Sequence, residues 1–288
     1  PQHPTLPHPT RPLKSPMTSD IRPHNRQKER SVGTVKSNTW PTMCLARIGT
    51  WKPTQQSGIS SPRETLRTRS SCLSDTLWYG QSDKRLDLDL TYGGVATGVA
   101  AFMTEIGVDT FNLVGHDRGS VIGDHMVAQE DVNPRILAYL RMQQSADKPH
   151  GLPRPNHEAM TDIAFHTQPN FMRDLFESDY FSVEMSEEHL ARAAWEYGFS
   201  GTAAAAAVRY SDASFDKELE FRLAEVFPRM TMPVVFMQGQ HDPGQRPEEY
   251  WETADIVPDG KVLIVDANHF IQAEKPELVA DAARDLFD

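Results

Sequence analysis

Residues from about 77 onward predict an α/β fold with a mostly parallel sheet, and three observations carry that expectation. Short apolar runs at 110–114, 135–142, 234–238 and 261–265 have the length of buried strands. Stretches with helical spacing separate them, and strands alternating with helices build a parallel sheet covered on both faces. The residues best suited to chemistry each stand just beyond one of these runs, where the loops of a parallel sheet converge on one crevice.

The first 76 residues read differently. Ten of the 21 prolines lie there, with many Ser and Thr and no sustained period of 2 or 3.6. A stretch such as "PQHPTLPHPTRPLKSP" carries too little apolar surface to offset the entropy of ordering it. Residues 1–78 hold 12 Lys and Arg against 4 Asp and Glu, a balance of +8, whereas the remainder has a balance of −19. Three origins fit this segment: a disordered leader, a transit-type peptide, or a stretch read out of frame or wrongly joined. The third is favoured, because fold-like patterning begins abruptly near Tyr79.

The elements follow in order. Val95, Val99, Phe102, Met103 and Ile106 recur at helical spacing, and Gly107 closes that helix. Thr110–Val114 forms a strand that runs into "VGHDRGS" (114–120). A helix from Arg118 to about Gln129 follows, ended by Asn133-Pro134, and "RILAYLRM" (135–142) is the next strand. Residues 145–228 turn to helical patterns rich in Ala, aromatic and polar residues. Ser186 caps one of these helices, and the Ala run at 203–207 reflects helix propensity. Two further strands, 234–238 and 261–265, precede the amphipathic helix "KPELVADAARDLF". The organisation is therefore a leader over 1–76, a first core part over 77–144, a helical insertion over 145–228 and a second core part over 229–288.

Three side chains carry the chemistry. Asp117 follows "FNLV", Asp242 follows the strand at 234–238 in "GQHDP", and His269 follows the strand at 261–265 in "NHF". Taken singly, Asp117 could cap the next helix, Asp242 could sit in a common turn, and His269 could be structural. Their shared placement at strand ends, in the order nucleophile, acid, histidine, makes those separate explanations improbable together. His116 reads as a turn residue of the motif, and His125 and His241 as bystanders.

Over residues 79–288 the chain resembles the α/β-hydrolases, through "YGQSDK", "VGHDRGS", "GQHDP" and "NHFIQAEKPE". Asp at the centre of "GHDRG" is similar to the branch holding epoxide hydrolases and haloalkane and fluoroacetate dehalogenases. The resemblance implies that 145–228 is a lid, that Asp117 is a nucleophile, that His269 is a general base and that Asp242 orients it. A carboxylate displaces a leaving group at saturated carbon and leaves an ester on the enzyme, which the base then hydrolyses. The Arg118 backbone N–H would be one oxyanion donor.

The resemblance also implies substrate contacts in the lid. Tyr210 lies near where the second of two epoxide-binding tyrosines occurs; the first would fall slightly upstream of "FHTQPN" (165–170), where no tyrosine stands, and neither Tyr180 nor Tyr197 is assigned to it. Arg118 is similar to the carboxylate-binding arginine of the fluoroacetate enzymes, although Val121 stands where those carry a second Arg. Asp162-Ile163 stands where they carry His-Trp. Trp195 is a further candidate for a lid N–H.

The family's first half should supply a His-Gly loop and a strand beside the nucleophile strand. Residues 1–78 show neither His-Gly nor a strand-like apolar run, so an exposed sheet edge and weak activity are expected. A net charge of −11 disfavours nucleic-acid and anionic-membrane partners. No apolar run approaches a membrane span, and no signal-peptide core stands near the start, so the cytoplasm is the expected compartment. Cys44 and Cys72 suggest neither a disulfide framework nor a metal site. Nothing implies a metal or organic cofactor, and the partner expected is a small-molecule substrate. The different-class alternative is a catalytically silent relative that binds a small apolar ligand. Ester or lactone hydrolysis is a third reading.

Overall fold

The computed structural model describes residues 44–48, 70–73, 79, 82, 87–144, 157–198, 201–212, 215–247 and 256–288. All of them fall within the compact unit Thr39–Asp288. Most of the expected leader, and all of "YGQSDK" but Tyr79 and Ser82, lies outside the described residues.

Six strands form one sheet. They are β1 (Cys44–Ile48), β2 (Ser70–Leu73), β3 (Phe111–His116), β4 (Ile136–Met142), β5 (Val234–Gly239) and β6 (Gly260–Val265), in the order β2-β1-β3-β4-β5-β6. Strands β3 to β6 are parallel, so their carboxyl ends share one side of the sheet. β1 runs antiparallel to both neighbours, with Cys44 opposite Gly115 and Ile48 opposite Phe111. Among the described residues β1 thus lies beside β3, in a stretch where the sequence shows no strand-like run. The segment "CLARI" is only five residues long, too short for its pattern to stand out from a Pro-rich surround. An antiparallel pair also needs no crossover helix to announce it.

Helices cover both faces. α1 (Tyr92–Glu105) starts at Thr91, whose hydroxyl accepts from the Gly94 N–H, and ends before Gly107, which adopts a φ of +74°. α2 (Arg118–Val127) follows β3 directly. Along each inner strand successive side chains point to opposite faces. Leu113, Tyr139 and Phe236 join Val95, Met103, Ile122 and Met126 in one core. Val114, Leu140 and Met237 join Val265 and Ile271 in the other, against the last helix. Behind the β3–α2 turn, Arg141 grips Asp124 with two bonds of 2.9 and 2.8 Å, both side chains fully buried. The Tyr139 hydroxyl donates to the Ser120 carbonyl beside them.

Between β4 and β5 the described chain is helical. α3 (His157–Met160), α4 (Ile163–His166), α5 (Phe171–Phe176), α6 (Glu187–Tyr197), α7 (Thr202–Asp212) and α8 (Phe215–Phe221) lead into a π-helical turn at Arg222–Val226. Ser186 caps α6 by accepting from the His189 N–H. After β6 come α9 (Ile271–Glu274) and α10 (Pro276–Phe287), the latter carrying Val279, Ala282, Ala283 and Leu286 onto the second core. No described helix is long and apolar enough to cross a membrane.

Candidate active site

The site is assembled at the carboxyl ends of β3 to β6. Asp117 occupies the one-residue elbow between β3 and α2, with φ 47° and ψ −115°. A non-glycine residue held there carries strain of about 1–3 kcal/mol, which the surrounding structure must hold in place. Two features do so. The Asp117 N–H donates to the Met142 carbonyl at 3.0 Å, and the Ser120 hydroxyl donates to the same oxygen at 2.9 Å. Gly115 lets the turn close, since a Cβ there would lie 2.9 Å from the Ser120 backbone. Asp117 stands at the N-cap position of α2, yet its side chain makes no capping hydrogen bond. Its carboxylate is thus not engaged as a helix cap.

His269 and Asp242 are brought together. The His269 Nδ1–H donates to Asp242 Oδ2 at 2.8 Å, and both side chains are buried. That pairing leaves Nε2 as the basic nitrogen. Asp242 Oδ1 accepts from the Gly244 and Gln245 N–H groups at 2.7 and 3.2 Å. Burial opposes the charge of Asp242, but the His269 ring, the Gly244 N–H and the Gln238 amide prevail and hold its carboxyl below the usual range. Burial likewise opposes a charged His269. The adjacent Asp242, by charge and hydrogen bond, and the Asp117 carboxylate together raise it above the ordinary imidazole value, with Arg118 working against them.

His116 is more than a turn residue. Its Nε2–H donates to the His269 carbonyl at 2.8 Å, and its ring meets the His269 ring edge-on at 5.1 Å. Burial above all, and then the neighbouring His269, push His116 down to about 4, so it is a neutral strut between the elbow and the histidine loop. The lid also reaches that loop. The Tyr180 carbonyl accepts from the His269 N–H at 3.1 Å, and the Tyr180 ring stands edge-on to His269 at 5.3 Å.

Around Arg118 lies a cluster of phenols. The Arg118 guanidinium sits 4.1 Å from the Tyr210 ring centroid and 6.0 Å from that of Tyr92. Burial works against its charge, while the Tyr92 and Tyr210 oxygens and Asp117 sustain it. Tyr79 packs under the Arg209 guanidinium at 4.6 Å. Burial pushes the Tyr79, Tyr92 and Tyr197 hydroxyls above the ordinary phenol value. His166 stacks on Tyr210 at 5.6 Å and donates from Nε2 to the Met160 carbonyl at 2.7 Å. Its Nδ1 is therefore an acceptor, and the Tyr197 hydroxyl donates to it at 2.8 Å. A cavity of about 470 Å³ lies within the lid against His166, Phe171, Leu190, Ala194 and Tyr197.

Of the substrate contacts singled out from sequence, Tyr210 of the helical insertion meets Arg118 at the start of α2, and Trp195 does not join them. Trp195 is 60% exposed on α6, whose inward stripe is Leu190 and Ala193. At 3.6 residues per turn, position 195 falls off that stripe. His166, Tyr79 and the strut His116 were not singled out as site residues. Each acquires its role from a partner distant in sequence, and no local pattern announces it.

Residues 67–276 match the family profile described as alpha/beta hydrolase fold. With that match covering most of its length, the chain belongs to the α/β-hydrolase fold family. It is similar to the soluble epoxide hydrolase of Corynebacterium sp. (strain C12), with 23% identity over 210 residues, 67% of this chain and 72% of that one. Among solved structures it resembles an epoxide hydrolase without ligand, with TM-score 0.60 and 20% identity over 77% of this chain and 82% of that one. It also resembles the enol-lactonase of Burkholderia xenovorans LB400, with TM-score 0.57 and 18% identity over 77% and 81% of the two chains. Likeness at this level speaks to the fold; the bond attacked has to be argued from the site.

Proposed function

We propose that this protein hydrolyses an epoxide or a carbon–halogen bond of a small molecule through an ester on Asp117. The observation that carries the reading is an aspartate, in place of a serine, at the strained elbow, with its carboxylate near enough to raise the imidazole of the His269–Asp242 pair. A carboxylate oxygen attacks the saturated carbon, the carbon–oxygen or carbon–halogen bond breaks, and its electron pair leaves with the oxygen or halide. His269 Nε2 then takes a proton from water, and the resulting hydroxide attacks the ester carbonyl. The alcohol departs with the proton from His269, and the second water proton leaves the Asp117 carboxyl for the ring-opened alkoxide or, after halide loss, for solvent, which regenerates the carboxylate. Asp242 orients the ring and stabilises its charged form, a base step typically worth ~10²–10⁴-fold.

Arg118 and Tyr210 form the part of the site suited to the leaving group or to a carboxylate on the substrate. Tyr197 is less suited to pairing with Tyr210 on an epoxide oxygen, because its proton is directed to His166.

The test is turnover of an epoxide and haloalkanoate panel in ¹⁸O-labelled water. Label is expected in the Asp117 carboxylate after repeated turnovers, and Asp117→Ser is expected to lose activity. A label-free Asp117 with an active Asp117→Ser variant would instead favour ester or lactone hydrolysis. Turnover of no member of the panel, with an apolar member retained, would favour the ligand-binding alternative.

A further inference from the structure

The described residues hold two non-glycine positions with positive φ: Asp117 and Gln143, at φ 51°. Gln143 follows the last residue of β4, between the nucleophile strand β3 and the acid strand β5. Its side chain is fully buried. We propose that Gln143 is a positioning residue that sets the acid loop and the histidine loop at a fixed distance from each other and from the nucleophile elbow.

Every polar group of Gln143 is committed to that task. Its side-chain Oε1 accepts from the Gly239 N–H at 3.0 Å, three residues before Asp242. Its Nε2 donates to the Asn268 carbonyl at 2.5 Å, immediately before His269. Its backbone N–H donates to the Met237 carbonyl at 3.1 Å, and its carbonyl accepts from Gln245 Nε2 at 2.9 Å. The amide orientation is dictated by the partners, since Gly239 offers only a donor and Asn268 only an acceptor. One residue back, the Met142 carbonyl holds both Asp117 and Ser120. The end of β4 thus meets all three loops of the site.

The positive φ gives this a physical reason. In ordinary strand geometry residue 143 would continue the pleat of β4, whereas here the backbone turns and the amide lies between the two loops. Gly239 makes room for it: a Cβ there would fall 2.0 Å from the Asn268 carbonyl and 2.8 Å from Gln143 Nε2. A buried non-glycine residue in this conformation with four satisfied bonds is what an over-determined functional position looks like.

The inference rests on the ester mechanism, in which ester formation uses Asp117 and ester hydrolysis uses the His269–Asp242 pair. The test uses Gln143→Gly, which suits the positive φ and removes the amide, and Gln143→Glu, which keeps the acceptor but cannot donate to Asn268 when ionised. Rapid-mixing kinetics followed by intact-protein mass measurement read the two steps separately. Ester formation should stay within about twofold of the unaltered protein, while ester hydrolysis slows at least about tenfold, so that the ester accumulates. NMR titration should move the His269 imidazole toward its ordinary value as the bond to Asp242 loosens. Unchanged hydrolysis, or an equal slowing of both steps alongside a lowered Tm and an unmoved titration, would overturn the positioning role. If the unaltered protein forms no ester while the variants still shift the His269 titration, the ester reading fails and the positioning role stands.

Discussion

Two histidines in contact at this site are pushed in opposite directions, and the sign of each reaches into both stability and rate. His269 is raised by Asp242, so the stability it contributes is fully present below the ordinary imidazole value of 6.5 and is lost as pH rises through its folded value. In the proposed ester mechanism His269 is a base only when neutral, so ester hydrolysis should increase with pH through that same folded value. His116 is held neutral down to about 4. Above pH 6.5 it contributes no pH dependence, but as pH falls toward 4 the unfolded chain takes up a proton that the folded chain refuses. Between pH 7 and 4.5 this removes about 2 kcal/mol of stability. His116→Gln keeps a donor for the His269 carbonyl and removes the titration. Urea unfolding at the two pH values should show that the variant loses about 2 kcal/mol less than the unaltered protein, and equal losses would count against the buried-neutral assignment.

At the scale of elements, the base loop is anchored by the lid as much as by the sheet. Met172, Phe176, Phe181, Leu190 and Ala193 enclose Phe270, the residue after His269, and Phe181 stacks on it at 4.3 Å. Asn268 donates from its side chain to the Asp179 carbonyl, and Ser182 bonds Glu274. Phe181→Ala should therefore cost about 3 kcal/mol in thermal or chemical unfolding, as large-to-small changes of buried aromatics do. It should slow ester hydrolysis more than ester formation; a variant equally stable and equally fast would show that the lid merely covers the site. This coupling explains what the sequence could and could not disclose. β3, β4, β5, β6, α1, α2 and the capped α6 were legible because each is a local pattern of apolar spacing, glycine and cap residues. The elbow and the strand-end positions of Asp242 and His269 were legible for the same reason. Gln143, His116 and the His166–Tyr197 pair were not, because one side chain meets a backbone group or ring a long way off in sequence. Trp195 stands apart from Arg118 and Tyr210 because the phase of α6 is set by Leu190 and Ala193.

The whole molecule sets a field that the site must work against. The chain carries a net charge of −11, while Arg118 presents a cation beside Asp117 and against Tyr210. A neutral epoxide approaches without regard to that charge. A haloalkanoate is repelled at long range and then attracted over the last few ångströms, where low-dielectric walls strengthen the pull of Arg118. Salt screens the first effect far more than the second, because the Debye length is about 10 Å at 0.1 M ionic strength and buried pairs are screened least. For an anionic substrate, kcat/KM should consequently rise a few-fold, on the order of two to five, between low and moderate salt, while for a neutral epoxide it stays flat. Arg118→Gln should weaken the anionic substrate's kcat/KM at every salt concentration without removing its upward slope, since the slope belongs to the surface and the level to the site. A downward slope would mean that the approach to Asp117 is locally positive, and that the lid, rather than the net charge, governs encounter.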